Sequence, residues 1–181
     1  MTEARTGVRE ITLTPSEWVV RWAPVVPRGP VLDVACGEGR HAAFFAEKGF
    51  EVYGVDREPR VIPGVTFIQA DLEDGSPWPL GERRFAAIVV TNYLHRPLFP
   101  RLAQSLEEGG VLIYETFMLG NERYGRPSNP AFLLQPGELL QAFGALGVIA
   151  FEQGVVERPK KAAVQRICAV RGPAESVKIA A

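Results

Sequence analysis

The chain has 181 residues, a length that fits a single α/β domain, since domains usually hold roughly 100 to 200 residues. Hydrophobic residues make up 46% and charged residues 23%, which excludes a disordered or fibrous protein. The net charge is −1, whereas a nucleic-acid-binding domain usually has a basic face, so a nucleic acid is disfavoured as a partner.

The cysteine content and the first residues indicate the cellular compartment of the protein. Cys36 and Cys168 are the two cysteines, too few for a disulfide framework, and neither has the neighbours of a zinc ligand, so no metal is expected. Residues 1–10 are charged and lack the apolar core of a signal peptide, and no stretch approaches the roughly 18 apolar residues that a membrane span needs. We expect a cytoplasmic protein with no membrane association.

The first predicted element is a helix over residues 14–23. Thr14 suits the N-cap, Pro15 the first helical position and Glu17 the third, the pattern of a capping box. Trp18 and Trp22 lie one turn apart on this helix. We expect the helix to cover a cofactor or acceptor pocket with Trp18 in contact with the substrate; a core position for both rings is the alternative.

A strand, a helix and a second strand follow. Residues 31–35 form an apolar run that predicts a buried strand, and residues 38–48 predict a helix with Gly49 as its C-cap. Residues 51–55 predict the second strand, which ends at Asp56. This βαβ unit requires the two strands to be parallel with a right-handed crossover.

The rest of the chain predicts five more strands. They cover residues 65–70, 85–91, 110–116, 148–156 and 162–170, with helices before the 110–116 strand and at 137–146. Only eight residues separate Asp56 from Val65, so a full helix does not fit there. The short 157–161 connection makes the last strand antiparallel. We therefore predict a doubly wound, Rossmann-like α/β domain over residues 1–171 with a flexible tail at 172–181.

The segment after the first strand predicts a nucleotide site. Gly37, Gly39 and Ala42 satisfy the G-x-G-x-x-A pattern of a dinucleotide-binding turn, which is one interpretation. Asp33 opposes it, because a carboxylate before the turn repels a pyrophosphate and attracts an ammonium group. S-adenosylmethionine carries an ammonium group and no phosphate.

Two further carboxylates strengthen this interpretation. Asp56 ends the second strand, where its two oxygens could accept both ribose hydroxyls, and Asp71 ends the third, where the adenine amino group would lie. Carboxyl ends of parallel strands meet at one edge of the sheet, so the three acids should lie together. Alone, Asp33 or Asp71 could equally cap its own turn or loop.

The sequence VLDVACGEGRHAAFFAEKGFEVYGVD at 31–56, together with IQADLED around Asp71 and TNYLHR at 91–96, resembles the class I S-adenosylmethionine-dependent methyltransferases, in particular the small tellurite-resistance methyltransferase group. The resemblance covers residues 31–170 and implies a seven-stranded sheet of order 3-2-1-4-5-7-6. Ala35 stands where the family often has glycine, so we expect a tighter turn. The implied cofactor-binding residues are Asp33, Ala35, Cys36, Gly37, Gly39, Arg40, Asp56, Arg57, Asp71, Leu72 and Asn92.

The acceptor site should lie in the loops above the sheet, chiefly the long, polar 115–130 segment. His95, Glu115 and Tyr124 are the candidate catalytic acids or bases; Trp18, Tyr93, Arg123 and Arg126 are the candidate substrate-binding residues. For His95 a structural hydrogen bond is the alternative, and for both arginines a solvated loop is. Arg158, Lys160 and Lys161 should reach the same rim, which favours an anionic acceptor.

The predicted function is methyl transfer from S-adenosylmethionine to a small molecule. The Asp/Asn-Pro-Pro-aromatic pattern of amide and exocyclic amine methylation is absent, since Asn92-Tyr93-Leu94-His95 replaces it. RNA or a protein side chain is the alternative acceptor, and a non-catalytic cofactor-binding module is the alternative class. An NAD(P)-dependent reductase is disfavoured by Asp33 and by the lack of a Tyr-x-x-x-Lys dyad. The acceptor atom, the need for a base and the oligomeric state stay open.

Overall fold

A seven-stranded sheet forms the centre of the structure, a computed structural model that describes residues 14–180. Apolar runs rich in valine, isoleucine and leucine build its inner strands, as expected where both faces are covered. The strands are β1 Val31–Val34, β2 Val52–Asp56, β3 Val65–Gln69, β4 Phe85–Thr91, β5 Leu106–Phe117, β6 Gly147–Val156 and β7 Ala162–Val170.

The predicted topology is confirmed. The strand order is β3-β2-β1-β4-β5-β7-β6, and the first five strands are parallel. β7 is antiparallel to both β5 and β6, so β6 runs in the direction of the first five. Six strands therefore end at one edge of the sheet, the edge where ligands bind in open α/β folds.

Four short helices pack on the two faces: α1 Glu17–Trp22, α2 Arg40–Glu47, α3 Phe99–Gln104 and α4 Glu138–Ala142. Trp18 of α1 and Phe45 of α2 share one buried cluster with strand residues, while Leu102 of α3 and Leu139 of α4 belong to the cluster on the other face. Among the described residues no helix is long and apolar enough to span a bilayer.

Several predicted boundaries are wrong. Helix α1 begins after Ser16, whose hydroxyl accepts a hydrogen bond from the Trp18 amide, so Ser16 and not Thr14 is the N-cap. The helix predicted at 137–146 is only one turn. β5 begins at Leu106, four residues early, because the backbone extends as soon as α3 ends.

The connections on the β3 side lack helices, as the eight-residue spacing predicted. Residues 57–64 and 70–84 form loops, and Ile62 is buried against the glycine turn. Within the segment predicted as a flexible tail, residues 174–176 form a 3₁₀ turn, and Val177 packs against the core.

The two tryptophans of α1 are core residues. Trp18 is 1% and Trp22 4% exposed, and their rings meet edge to face with centroids 5.7 Å apart. The Trp18 indole donates a hydrogen bond to the Ile167 carbonyl of β7 at 3.3 Å. The prediction that Trp18 contacts a substrate is therefore wrong, because the amphipathic face of α1 packs on the sheet.

Truncating Trp18 should destabilise the fold. Trp18→Ala is expected to lower the free energy of unfolding by about 3 to 5 kcal/mol, the usual cost of removing a large buried aromatic side chain. Val20→Ala, on the exposed face of the same helix, is the matched control and should change it by about 0.5 kcal/mol or less. Urea unfolding of both variants measures the two changes in the free energy of unfolding. Equally small changes would contradict the buried position of Trp18.

Candidate active site

The turn between β1 and α2 has the backbone of a ligand-binding glycine turn. Gly37 and Gly39 have φ angles of 53° and 79°, and Ala35 has a φ of 51°, a conformation that usually requires glycine. A Cβ at Gly39 would overlap the Ile62 side chain. Ala35 therefore preserves the turn that the resemblance implies, at the cost of some backbone strain.

Asp33 lies beneath this turn and is 2% exposed. Its Oδ2 accepts a hydrogen bond from the Ala42 amide at 3.0 Å, which fixes the first turn of α2. Burial raises the pKa of Asp33 to about 7, although the Ala42 amide and Arg40 act in the opposite direction. The capping alternative is thus observed, and ammonium binding by the same carboxylate stays a prediction.

Asp56 and Asp71 are held at the ends of the next two strands. Asp56 accepts hydrogen bonds from the Gly37 amide at 2.8 Å and from the Glu58 amide at 3.0 Å. Asp71 accepts one from the Glu73 amide at 2.9 Å. A carboxylate has about four lone-pair sites, so each side chain is oriented and can still accept bonds from a ligand.

Tyr93 lies beside these acids. The pKa of Tyr93 is raised well above its usual range. Burial is the largest cause, and the carboxylates of Glu73, Asp71 and Asp56 add to it. Tyr93 does not line the large cavity described below. It lies among the acids, and its predicted contact with the substrate stays a prediction.

The remaining expected cofactor residues surround the same turn. Cys36 is buried against Gly54 of β2, and burial followed by the charges of Asp33 and Asp56 raises the pKa of its thiol to about 12. Leu72 packs on the core, and the Arg57 carbonyl accepts a hydrogen bond from Gln69. These residues, together with Asn92 (φ 54°) after β4 and Arg40 at the start of α2, complete the expected set.

A cavity of about 610 Å³ adjoins the glycine turn, above the end of β5 and the start of β7. The residues before α1, the loop after β5 and the turn between β6 and β7 form its walls. Its acids are Glu17 and Glu115. Its cations are Arg40, Arg126, Arg158, Lys160, Lys161 and Arg166.

An ion pair forms part of the floor of the cavity. Glu115 of β5 and Arg166 of β7 face each other in the antiparallel register and form an ion pair between Oε2 and Nε. The other Glu115 oxygen accepts a hydrogen bond from the Ser16 hydroxyl at 2.7 Å. Glu115 is 8% exposed, so this predicted acid or base is buried and engaged by Arg166 through an ion pair and by Ser16 through a hydrogen bond.

His41, which the sequence pattern did not reveal as a site residue, connects the cavity wall to the sheet. Its Nε2 accepts a hydrogen bond from the Ser16 amide at 3.0 Å, so Nδ1 carries the proton and faces Thr91 Oγ1 at 3.3 Å. Burial, and secondarily Arg40, lowers the pKa of His41 to about 3. The sequence indicates this role only through the position of His41 in the first turn of α2, directly after the glycines.

The predicted acceptor residues divide into two groups. Glu115, Tyr124 and Arg126 line the cavity, whereas His95 and Arg123 do not. His95 precedes a 3₁₀ turn at 96–98, and Arg123 ends another at 121–123, with its side chain exposed. The predicted catalytic role of His95 and the predicted substrate contact of Arg123 are therefore not supported by the geometry.

The rim is assembled from two segments distant in sequence. Lys161 Nζ lies 5.5 Å from the Tyr124 ring centroid, and Lys160 Nζ would lie 3.3 Å from a Cβ at Gly125. Arg158 pairs with Glu17 at 3.4 Å, and Lys161 with Glu157 at 3.1 Å.

Three of the cavity cations have no counter-charge among the residues that the structure describes. Within residues 14–180, Arg40, Arg126 and Lys160 have no carboxylate within salt-bridge distance. The cavity can therefore receive an anion.

Comparison with known proteins agrees with this geometry. A family model described as a methyltransferase domain matches residues 11–148. A trans-aconitate 2-methyltransferase from Methylobacterium nodulans is 35% identical over 100 residues, 49% of this chain and 38% of that protein. A protein-L-isoaspartate O-methyltransferase from Chlorobaculum tepidum is 35% identical over 107 residues, 54% of this chain and 49% of that protein.

A solved structure shares the fold. TehB from Haemophilus influenzae superposes with a TM-score of 0.71 at 16% identity, covering 85% of this chain and 61% of that chain. In the two sequence matches, by contrast, the chain spans less than half the length of the curated relatives.

Asp33 and His41, two buried titratable residues with separate partners, should make the free energy of unfolding depend on pH in opposite directions. His41 has a folded pKa of about 3 against about 6.5 unfolded, so its contribution is lost as pH falls below about 6.5. Asp33 has a folded pKa of about 7 against 3.8 unfolded, so it adds stability as pH falls from 7 towards 4. In the wild type these two effects oppose each other.

Single variants should separate the two effects. Relative to wild type, Asp33→Asn should lose stability between pH 6 and pH 4, and His41→Gln should gain it, each by up to about 1 kcal/mol per pH unit. Urea unfolding at pH 4, 5, 6 and 7 measures both slopes. Variant and wild-type profiles that run parallel would show that neither group is buried in the assigned protonation state.

Proposed function

We propose that this chain, which belongs to the methyltransferase domain family, transfers the methyl group of S-adenosylmethionine to a small anionic acceptor. The observation that carries the proposal is the cation-lined cavity beside the glycine turn. Its volume of about 610 Å³ falls within the range of about 300 to 1,000 Å³ typical of small-molecule sites.

The acids at the strand ends support S-adenosylmethionine as the donor. Its ammonium, ribose hydroxyls and adenine amine are all hydrogen-bond donors, and Asp33, Asp56 and Asp71 supply acceptors on three successive strands. The pyrophosphate of a dinucleotide would instead face these carboxylates. When bound, the cofactor supplies an electrophilic methyl group on sulfur.

The reaction would take place where the acidic and cationic regions meet. Arg40 begins α2 directly after the glycine turn, Asn92 follows β4, and both also line the cavity. The protein's contribution is to hold the acceptor atom in line with the methyl group and to exclude water. The Ser16 segment, tied to His41 and Glu115, would provide one rigid wall for this purpose.

The relatives support a negatively charged acceptor. Trans-aconitate carries carboxylates, and an isoaspartyl residue presents one, so the acceptors named for both curated relatives are anions. Arg126 and Lys160, which lack acidic partners among residues 14–180, are suited to bind such a group.

Arg126 and Arg123 form a matched pair for testing this proposal. Both are exposed arginines near the same loop, and only Arg126 lines the cavity. Methyl transfer is measured from labelled S-adenosylmethionine to a panel of small anions that includes trans-aconitate. For the best acceptor, Arg126→Ala should raise KM at least tenfold, since a charge-assisted bond contributes about 1.5 to 3 kcal/mol.

Arg123→Ala is the control and should change the same KM by about twofold or less, because an exposed charge outside the site mainly alters encounter rates. An uncharged acceptor turned over equally well by wild type and by Arg126→Ala would contradict the proposal. So would equal effects of the two substitutions.

A further inference from the structure

We infer that the acceptor is a small polycarboxylate that is methylated on a carboxylate oxygen without a general base. The inference rests on the proposed function and deepens it by naming the acceptor atom. It depends on how the titratable groups of the cavity are partnered and on where its cations lie.

Among the described residues, the carboxylates of the cavity and the nearby histidine are engaged, and the remaining acid–base candidate is Tyr124, a phenol beside Lys161 whose O–H is a hydrogen-bond donor. Glu115 is held by Arg166 and by the Ser16 hydroxyl, and Glu17 pairs with Arg158. His41 lies behind the Ser16 wall with both ring nitrogens engaged, and burial lowers its pKa to about 3. No histidine is among the residues that line the cavity.

An acceptor that needs no deprotonation matches such a site. A carboxylate is ionised at neutral pH, so its oxygen can attack the sulfonium methyl directly. The new O–C bond forms as the C–S bond breaks, its electron pair stays on sulfur, and S-adenosylhomocysteine leaves as a neutral thioether. No proton moves and no further reactant is needed. A phenol or an ammonium group would have to lose a proton first.

The position of the cations indicates more than one carboxylate. An oxygen paired with an arginine or lysine is a poorer nucleophile, because its charge is already stabilised by the cation. Arg40, whose guanidinium donates a hydrogen bond to the Thr14 carbonyl, directly follows the glycine turn, whereas Arg126 and Lys160 lie on the rim formed by the 121–126 loop and the 157–161 turn. They are therefore suited to bind a carboxylate that does not react, while a second one reaches the methyl group.

The wall of the cavity suits a short carbon skeleton between these groups. Phe117, Val156 and Val164 supply apolar surface that would contact such a skeleton. A compact dianion or trianion would thus satisfy the rim charges and the apolar wall together.

The chemistry of the methylated product tests the inference even before the acceptor is identified. The full chain is incubated with methyl-labelled S-adenosylmethionine and the anionic small-molecule fraction of a deproteinised bacterial extract. We expect labelled product that binds an anion exchanger, because a carboxylate remains, and that releases its label as methanol in mild alkali, because the product is a methyl ester. Arg126→Ala should lower the yield at least tenfold at limiting acceptor.

Other outcomes overturn the inference in distinguishable ways. Alkali-stable label in a retained product would show another acceptor atom and leave the proposed function intact. An ester that does not bind the exchanger would show a monocarboxylate, and label that is volatile before alkali would exclude an ester of a polyacid. No transfer to any small anion, with S-adenosylhomocysteine still bound, would contradict the proposed function itself.

The dependence of kcat on pH gives an independent test. It is measured with the acid from which the purified methyl ester was formed as the substrate. Without a base, kcat at saturating S-adenosylmethionine should vary by less than about threefold between about pH 8 and pH 9.5, where the acceptor stays ionised and the pH lies above the pKa of about 7 of Asp33. A limb that rises close to tenfold per pH unit would reveal a required deprotonation and overturn the inference.

Discussion

The ion pair between Glu115 and Arg166, with the Ser16 hydroxyl bonded to the same carboxylate, links the architecture to the chemistry. It joins β5 to the reversed strand β7 at the ligand-binding edge and ties the segment before α1 to the sheet. His41 holds that segment from the other side through the Ser16 amide. The same contacts engage the buried Glu115 carboxylate, so one set of interactions both forms the wall and occupies this candidate base.

The edge of the sheet is divided by charge. β1, β2 and β3 have acids at or near their ends that can accept bonds from a cationic nucleoside, while the segments around β5 to β7 contribute most of the cations of the cavity. The division follows from topology, because the reversal of β7 brings the 157–161 turn beside the 121–126 loop. One sheet edge can therefore hold a positively charged donor next to a negatively charged acceptor.

The sheet and the positions of the acids near its strand ends could be predicted because local signals determine them. Apolar runs indicate the strands, and the position of an acid at a strand end indicates Asp56 and Asp71. The acceptor side depends on long-range packing: Arg126 and Arg123 are indistinguishable in sequence, and only the fold puts one in the cavity. The predicted contact of Trp18 with a substrate was wrong because the sequence of an amphipathic helix does not reveal which surface its apolar face covers. The contact between Ser16 and His41 could not be predicted, because 25 residues separate them.

A crystal structure with S-adenosylhomocysteine tests the central claim most directly. The account predicts ribose hydroxyls bonded to Asp56, adenine beside Asp71, and the sulfur directed between Arg40 and Asn92 into the cation-lined cavity, whose volume remains free beyond it. An adenosyl group inside that cavity, or a cofactor bound away from the three acids, would contradict the account, because the acidic and cationic regions would then not be the donor and acceptor sites.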